Sequence, residues 1–100
     1  MGKSKPVTIG TMRFKTRSAA NAYISELLNS LPLMTVIPEP HHTFLSELLA
    51  KHPRAAEKIG AGIKHFTVEP AAHGTHAFYV TRVDGTRDDF ATGKCVRETE

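Results

Sequence analysis

Lys58 and the Gly60-Ala61-Gly62 turn that follows it form the most chemically suggestive grouping in the chain. An ammonium beside the exposed amides of a glycine turn can hold a phosphate. A dinucleotide loop is excluded by context: a helical pattern precedes the turn, a strand pattern follows, and His65 stands where the third glycine belongs. Asp88 and Asp89 are adjacent, so in a regular strand their carboxylates face opposite ways, and only a bulge would let them share acid–base work. Lys94 could lower the thiol pKa of Cys95, yet a cysteine nucleophile also needs a positioned base, and none is legible. A small buried cysteine at the end of a strand is the expectation. Among the six histidines, His41 and His42 are adjacent, His73 and His76 are three apart, and no paired cysteines complete a zinc set. His52, just before Pro53, is expected to cap or pack a helix junction. No catalytic residue, metal or cofactor is assigned, and a weak hydrolase or nuclease is the minority alternative.

Charge points more firmly to a partner class. The chain carries 13 Lys and Arg against 10 Asp and Glu, a net charge of +3. Lys3, Lys5, Arg13, Lys15 and Arg17 all precede the first acidic residue, Glu26, and residues 1–11 read as a mobile basic arm. Arg13, Lys15, Arg17, Lys58, Lys64, Arg82, Arg87 and Lys94 are the candidate contacts to a nucleic-acid backbone, with an affinity that falls as salt rises. Lys51 is set aside because it can pair with Glu47 one turn earlier.

These residues need a scaffold, and 100 residues at 40% hydrophobic are enough for one modest core. No apolar run approaches the roughly 20 residues of a membrane span, and the polar start shows no secretory signal. One cysteine excludes an internal disulfide and fits a reducing compartment. A cytoplasmic monomer is expected. Met12 to Lys15 suits a short strand. Thr16 or Ser18 then caps a helix whose Ala20, Tyr23, Ile24, Leu27, Leu28 and Leu31 recur at helical spacing, until Pro32 ends it. A second helix buries Phe44, Leu45, Leu48 and Leu49. Pro53 opens a short third helix through Lys58, closed by Gly60.

Beyond Gly62 the pattern alternates, which predicts strands over 63–69, 77–83 and 86–90. Asp84-Gly85 is the expected two-residue hairpin turn. That turn sets Tyr79 against Phe90 and leaves Phe78 and Val80 on the opposite face. Either a bulge near Asp88 and Asp89 corrects this, or Tyr79 and Phe90 form a second small cluster. Phe66 and Phe78 alternate with Val68 and Val80, so they read as core and not as base-stacking groups. The expected fold is α+β, with amino-terminal helices packed on a small antiparallel sheet in two layers.

The ordered series His52, Pro53, Lys58, Ile59, Gly60, Gly62, Phe66, Val68, Phe78, Val80, Arg82, Asp84, Gly85, Asp89, Phe90, Lys94 and Cys95 resembles the DCL-like domain. That domain is named for a plant protein whose loss leaves chloroplasts and leaves defective. Ala91 departs from the serine of the family pattern. The bacterial members have no known function. The plant members imply ribosomal RNA maturation or attachment to a plant-specific RNA polymerase. Residues 1–100 therefore read as one non-catalytic module associated with RNA or another nucleic acid. A protein-interaction module docking on a ribosome-related or polymerase-related machine is the alternative.

Overall fold

The computed structural model describes residues 6–97, with Lys94 and Arg97 as backbone only. The chain runs β1 (Val7–Ile9), β2 (Met12–Phe14), α1 (Arg17–Ser30), α2 (His41–Leu49), α3 (Ala55–Ile59), β3 (Ile63–Pro70), β4 (His76–Arg82), β5 (Arg87–Asp89) and α4 (Thr92–Arg97). A three-residue 3₁₀ turn, Ala72–Gly74, joins β3 to β4. Strands β3, β4 and β5 form one antiparallel sheet in that order, and β1 pairs with β2 in a separate hairpin. The expected α+β architecture is present.

Local chemistry sets the helix limits. The Thr16 hydroxyl accepts the Ala19 amide at 3.0 Å, satisfying one of the donors that a helix start leaves open. Leu31 is extended and Pro32 cannot continue the helix. At α2 the capping residue is Pro40, which has no side-chain acceptor. Glu39 substitutes for it: its Oε1 accepts the Thr43 amide at 2.8 Å and the Thr43 hydroxyl at 2.7 Å. His52 caps the next junction as expected, its Nδ1 accepting the Arg54 amide at 2.9 Å.

One core results. Ala20, Ile24 and Leu27 of α1 and Phe44, Leu45, Leu48 and Leu49 of α2 share it with Phe66, Val68, Phe78 and Val80 of the sheet. Phe66 is fully buried and Phe78 is 1% exposed.

Four expectations need correction. Residues 6–11 are not a mobile arm, because Val7 and Ile9 of β1 are fully buried in the core; Met1 to Lys5 lie outside the described residues. The hairpin loop is Val83-Asp84-Gly85 and not Asp84-Gly85 alone, since the Arg82 amide donates to Thr86 O at 2.8 Å. Gly85 at φ +88° takes the left-handed position that closes a three-residue loop. The Asp84 carboxylate fixes the loop by accepting the Thr86 amide at 3.0 Å. The third correction follows from the second: the register moves by one, Tyr79 faces Asp89, and the Phe90 amide donates to Phe78 O at 3.3 Å. Phe90 thereby joins Phe66 and Phe78, with ring centroids 5.8 and 6.1 Å away, with no bulge at Asp88 and no second cluster. The sheet's register shift lies between Ile63 and His65, at Lys64. Last, Cys95 sits in α4 and not at a strand end, because the chain leaves the sheet after Phe90.

The connection between α1 and α2 also covers the free side of β3. The Met34 amide donates to Val68 O at 2.8 Å and the Ile37 amide to Phe66 O at 2.9 Å. A bare strand edge is thus occupied.

Candidate nucleic-acid interface

At five residues, α3 is too short to satisfy its own last carbonyls. Arg82, at the end of β4, does it instead: Nε donates to Lys58 O at 2.8 Å and Nη2 to Glu57 O at 3.4 Å. The close approach requires Gly60, because a Cβ there would lie 2.9 Å from Arg82 Cδ. The Lys58 ammonium donates to Asp88 Oδ2 at 3.1 Å and to Asp89 O at 2.9 Å. Arg82 Nη2 reaches the same Asp88 oxygen at 3.4 Å, and Nη1 donates to the Thr86 hydroxyl at 3.0 Å.

Lys58, Arg82 and Asp88 therefore latch α3 onto the β4–β5 hairpin. The Lys58 and Arg82 side chains are only 16% and 11% exposed, so both cations are committed to this internal contact. Partial burial opposes the charged form of Asp88. The hydrogen bond and charge of Lys58, helped by the Asp89 amide and Arg82, outweigh it and hold the carboxyl below its ordinary value. Lys58 also occupies the outer carbonyl of β5, which blunts that edge. A phosphate at the glycine turn would have to compete with Asp88. The role of Asp88 escaped the sequence reading because a two-residue loop placed it on the wrong face.

The remaining candidates divide by position. Arg13 on β2 and Lys15 just beyond it are exposed, while Met12 and Phe14 pack against the core. Both cations border one shallow depression with Pro6 and Phe14. Arg17, the first residue of α1, is also exposed. Lys64 is exposed at the register shift of β3. Arg87 on β5 pairs with Glu69 and lies 5.3 Å from the Tyr79 ring centroid. The Lys94 side chain lies outside the described residues. Arg13 and Lys15 thus lie together at one depression, Arg17 follows two residues on at the start of α1, and Lys64 and Arg87 belong to the larger sheet.

The groups weighed for other chemistry are placed differently. Burial pushes the Cys95 thiol up to about 12, where it is neutral and a poor nucleophile. Among the described residues no three His, Cys, Asp or Glu side chains come together as a metal set. No helix among the described residues is long and apolar enough to cross a membrane.

The family model described as "Protein of unknown function (DUF3223)" matches residues 25–96, the stretch holding both the latch and the three-stranded sheet. The chain belongs to the DUF3223 family. The domain is 32% identical over 98 residues to "DNA-directed RNA polymerase IV subunit 1" of Arabidopsis thaliana, covering 95% of this chain and 7% of that protein. Over 62 residues it is 34% identical to "Protein DCL, chloroplastic" of Solanum lycopersicum, covering 60% of this chain and 28% of that protein. The resemblance read from His52 to Cys95 is therefore real. The chain spans less than half the length of the curated relatives it matches. A solution NMR structure of an uncharacterised protein from Rhodospirillum rubrum has the same fold, with a TM-score of 0.86 at 34% identity, covering 95% of this chain and 91% of that one.

Proposed function

We propose that this DUF3223 domain is a non-catalytic module that holds RNA by its phosphate backbone within RNA-related machinery. The observation that carries the reading is the placement of Arg13 and Lys15, both exposed beside one depression and followed by exposed Arg17. Such a stretch can neutralise a few consecutive phosphates without reading bases. Kinship to DCL and to a segment of a polymerase IV subunit favours RNA over DNA. Lys64 and Arg87 are secondary contacts on this reading, and Lys58 and Arg82 serve the fold.

Fluorescence anisotropy with a labelled single-stranded RNA tests it. Affinity should fall with salt, with a logarithmic slope of roughly −1.4 to −2.1 for two to three phosphates. The double variant Arg13→Glu/Lys15→Glu should weaken binding about tenfold or more with an unchanged circular dichroism spectrum, and Lys64→Glu should have a smaller effect. Undetectable binding at low salt, or equal losses from both variants, would reject this interface.

A further inference from the structure

Val7 and Phe14 are the last pair of the β1–β2 hairpin. Just beyond them, at its open end, lies the depression of ≈ 350 Å³ that Arg13 and Lys15 border, and Pro6 and Phe14 complete its lining. No carboxylate lines it. Among the described residues none forms a salt bridge with Arg13 or Lys15 either, whereas Asp88 engages Lys58 and Arg82, and Glu69 engages Arg87. Two cations thus stand uncompensated at one small concavity, which attracts an anion. A phosphate alone would have no use for the aromatic ring beside them. That ring is fixed in advance: Tyr23 backs Phe14 at 5.5 Å between centroids, tilted by 45°, and Phe44 backs Tyr23 edge-on at 5.3 Å. Phe44 belongs to the core and both Phe14 and Tyr23 pack against it, so little side-chain freedom is left to lose on binding.

We infer that this depression seats one unpaired nucleotide of an RNA strand, its base against Phe14 and Pro6 and its flanking phosphates at Arg13 and Lys15. A nucleic-acid strand is the polyanion that brings a flat ring with every phosphate, and an aromatic side chain beside cations is how single strands are held by stacking. The base must be unpaired, because only an unstacked base can be laid on a protein ring. The volume falls at the lower end of the usual range for small-ligand sites, which suits one nucleotide and not a longer run. Stacking accepts any base, so the site favours single strands without reading sequence. The inference rests on the RNA reading above and narrows it from a phosphate contact to an unpaired strand.

The test compares fluorescein-labelled hexauridylate with an abasic strand of the same length and phosphate count, by anisotropy at low salt with the full chain. Wild type should bind hexauridylate about fivefold or more tightly than the abasic strand, with one logarithmic salt slope for both because the phosphates are the same. Phe14→Leu should remove most of that preference while changing affinity for the abasic strand less than about twofold, and Phe14→Tyr should keep it. A Phe14→Leu variant that weakened both strands equally would act through the fold alone and overturn the inference. Equal affinity of wild type for the two strands would also overturn it and leave the phosphate contact standing; this comparison holds whether or not Phe14→Leu folds. Displacement of hexauridylate by hexaglutamate as readily as by unlabelled hexauridylate would assign the depression to an acidic peptide instead. Undetectable binding of both strands would sink the RNA reading itself.

Discussion

A lysine beside a glycine turn looks like a phosphate ligand until its counter-ion is found. Lys58 and Arg82 share one Asp88 oxygen, at 3.1 and 3.4 Å. Asp88→Asn would leave two partly buried cations without their anion, and the expected loss is on the order of 2 kcal/mol by urea denaturation at pH 7. The carboxyl pKa is lowered on folding from an ordinary 3.8, so its contribution is fully present above that value and fades as pH falls through the lower folded one. The gap between wild type and variant should therefore be constant from about pH 5 upward and shrink below about pH 4. A gap that stays constant to pH 3 would show that Asp88 acts by packing alone. The sequence displays every member of this latch, but a side chain's partner depends on register, and the inclusion of Val83 in the loop shifts that register by one residue.

At the scale of elements, the long periodic segments were readable and the short ones were not. α1 and α2 bury several large residues at helical spacing, which no other structure would satisfy. β1 and α4 hold three and six residues, too few for a period to stand out, and exist because the core beneath them needs covering. The hairpin loop departs from the expected turn for a different reason: Asp-Gly favours a two-residue turn, but here the Asp84 carboxylate accepts the Thr86 amide and hydroxyl and extends the loop. Two glycines test how tightly these short elements are specified. Gly60 sits at φ +52° with Arg82 Cδ 2.9 Å from a would-be Cβ, so Gly60→Ala should cost about 1–3 kcal/mol. Gly93 has nothing within 4 Å of that position and lies in α4, so Gly93→Ala should stabilise by a few tenths to about 1 kcal/mol. Thermal unfolding of both variants checks the pair. A harmless Gly60→Ala would mean that Arg82 can leave the end of α3 without loss.

Across the whole molecule, the amino-terminal segment joins the core to the basic surface at Arg13 and Lys15. The basic residues around Arg13 suggested a tail that binds while the rest folds independently, and composition alone could not reveal that Val7 and Ile9 between them are fully buried. Deleting residues 1–10 removes both side chains. At about 1.5–3 kcal/mol for each fully buried aliphatic group, the loss is roughly 3–6 kcal/mol. A domain of this size has about 5–15 kcal/mol in total. The truncated chain should therefore be largely or wholly unfolded at 37 °C, visible as lost ellipticity and a collapsed urea midpoint. If it keeps its stability within about 1 kcal/mol, β1 is dispensable and the segment is a tail after all. The same arithmetic decides how function must be tested. Because truncation removes the fold together with the charge, a lost RNA signal in the deleted chain carries no information about contact, whereas Arg13→Glu/Lys15→Glu changes charge at two exposed positions and leaves Val7, Ile9 and Met12 in place.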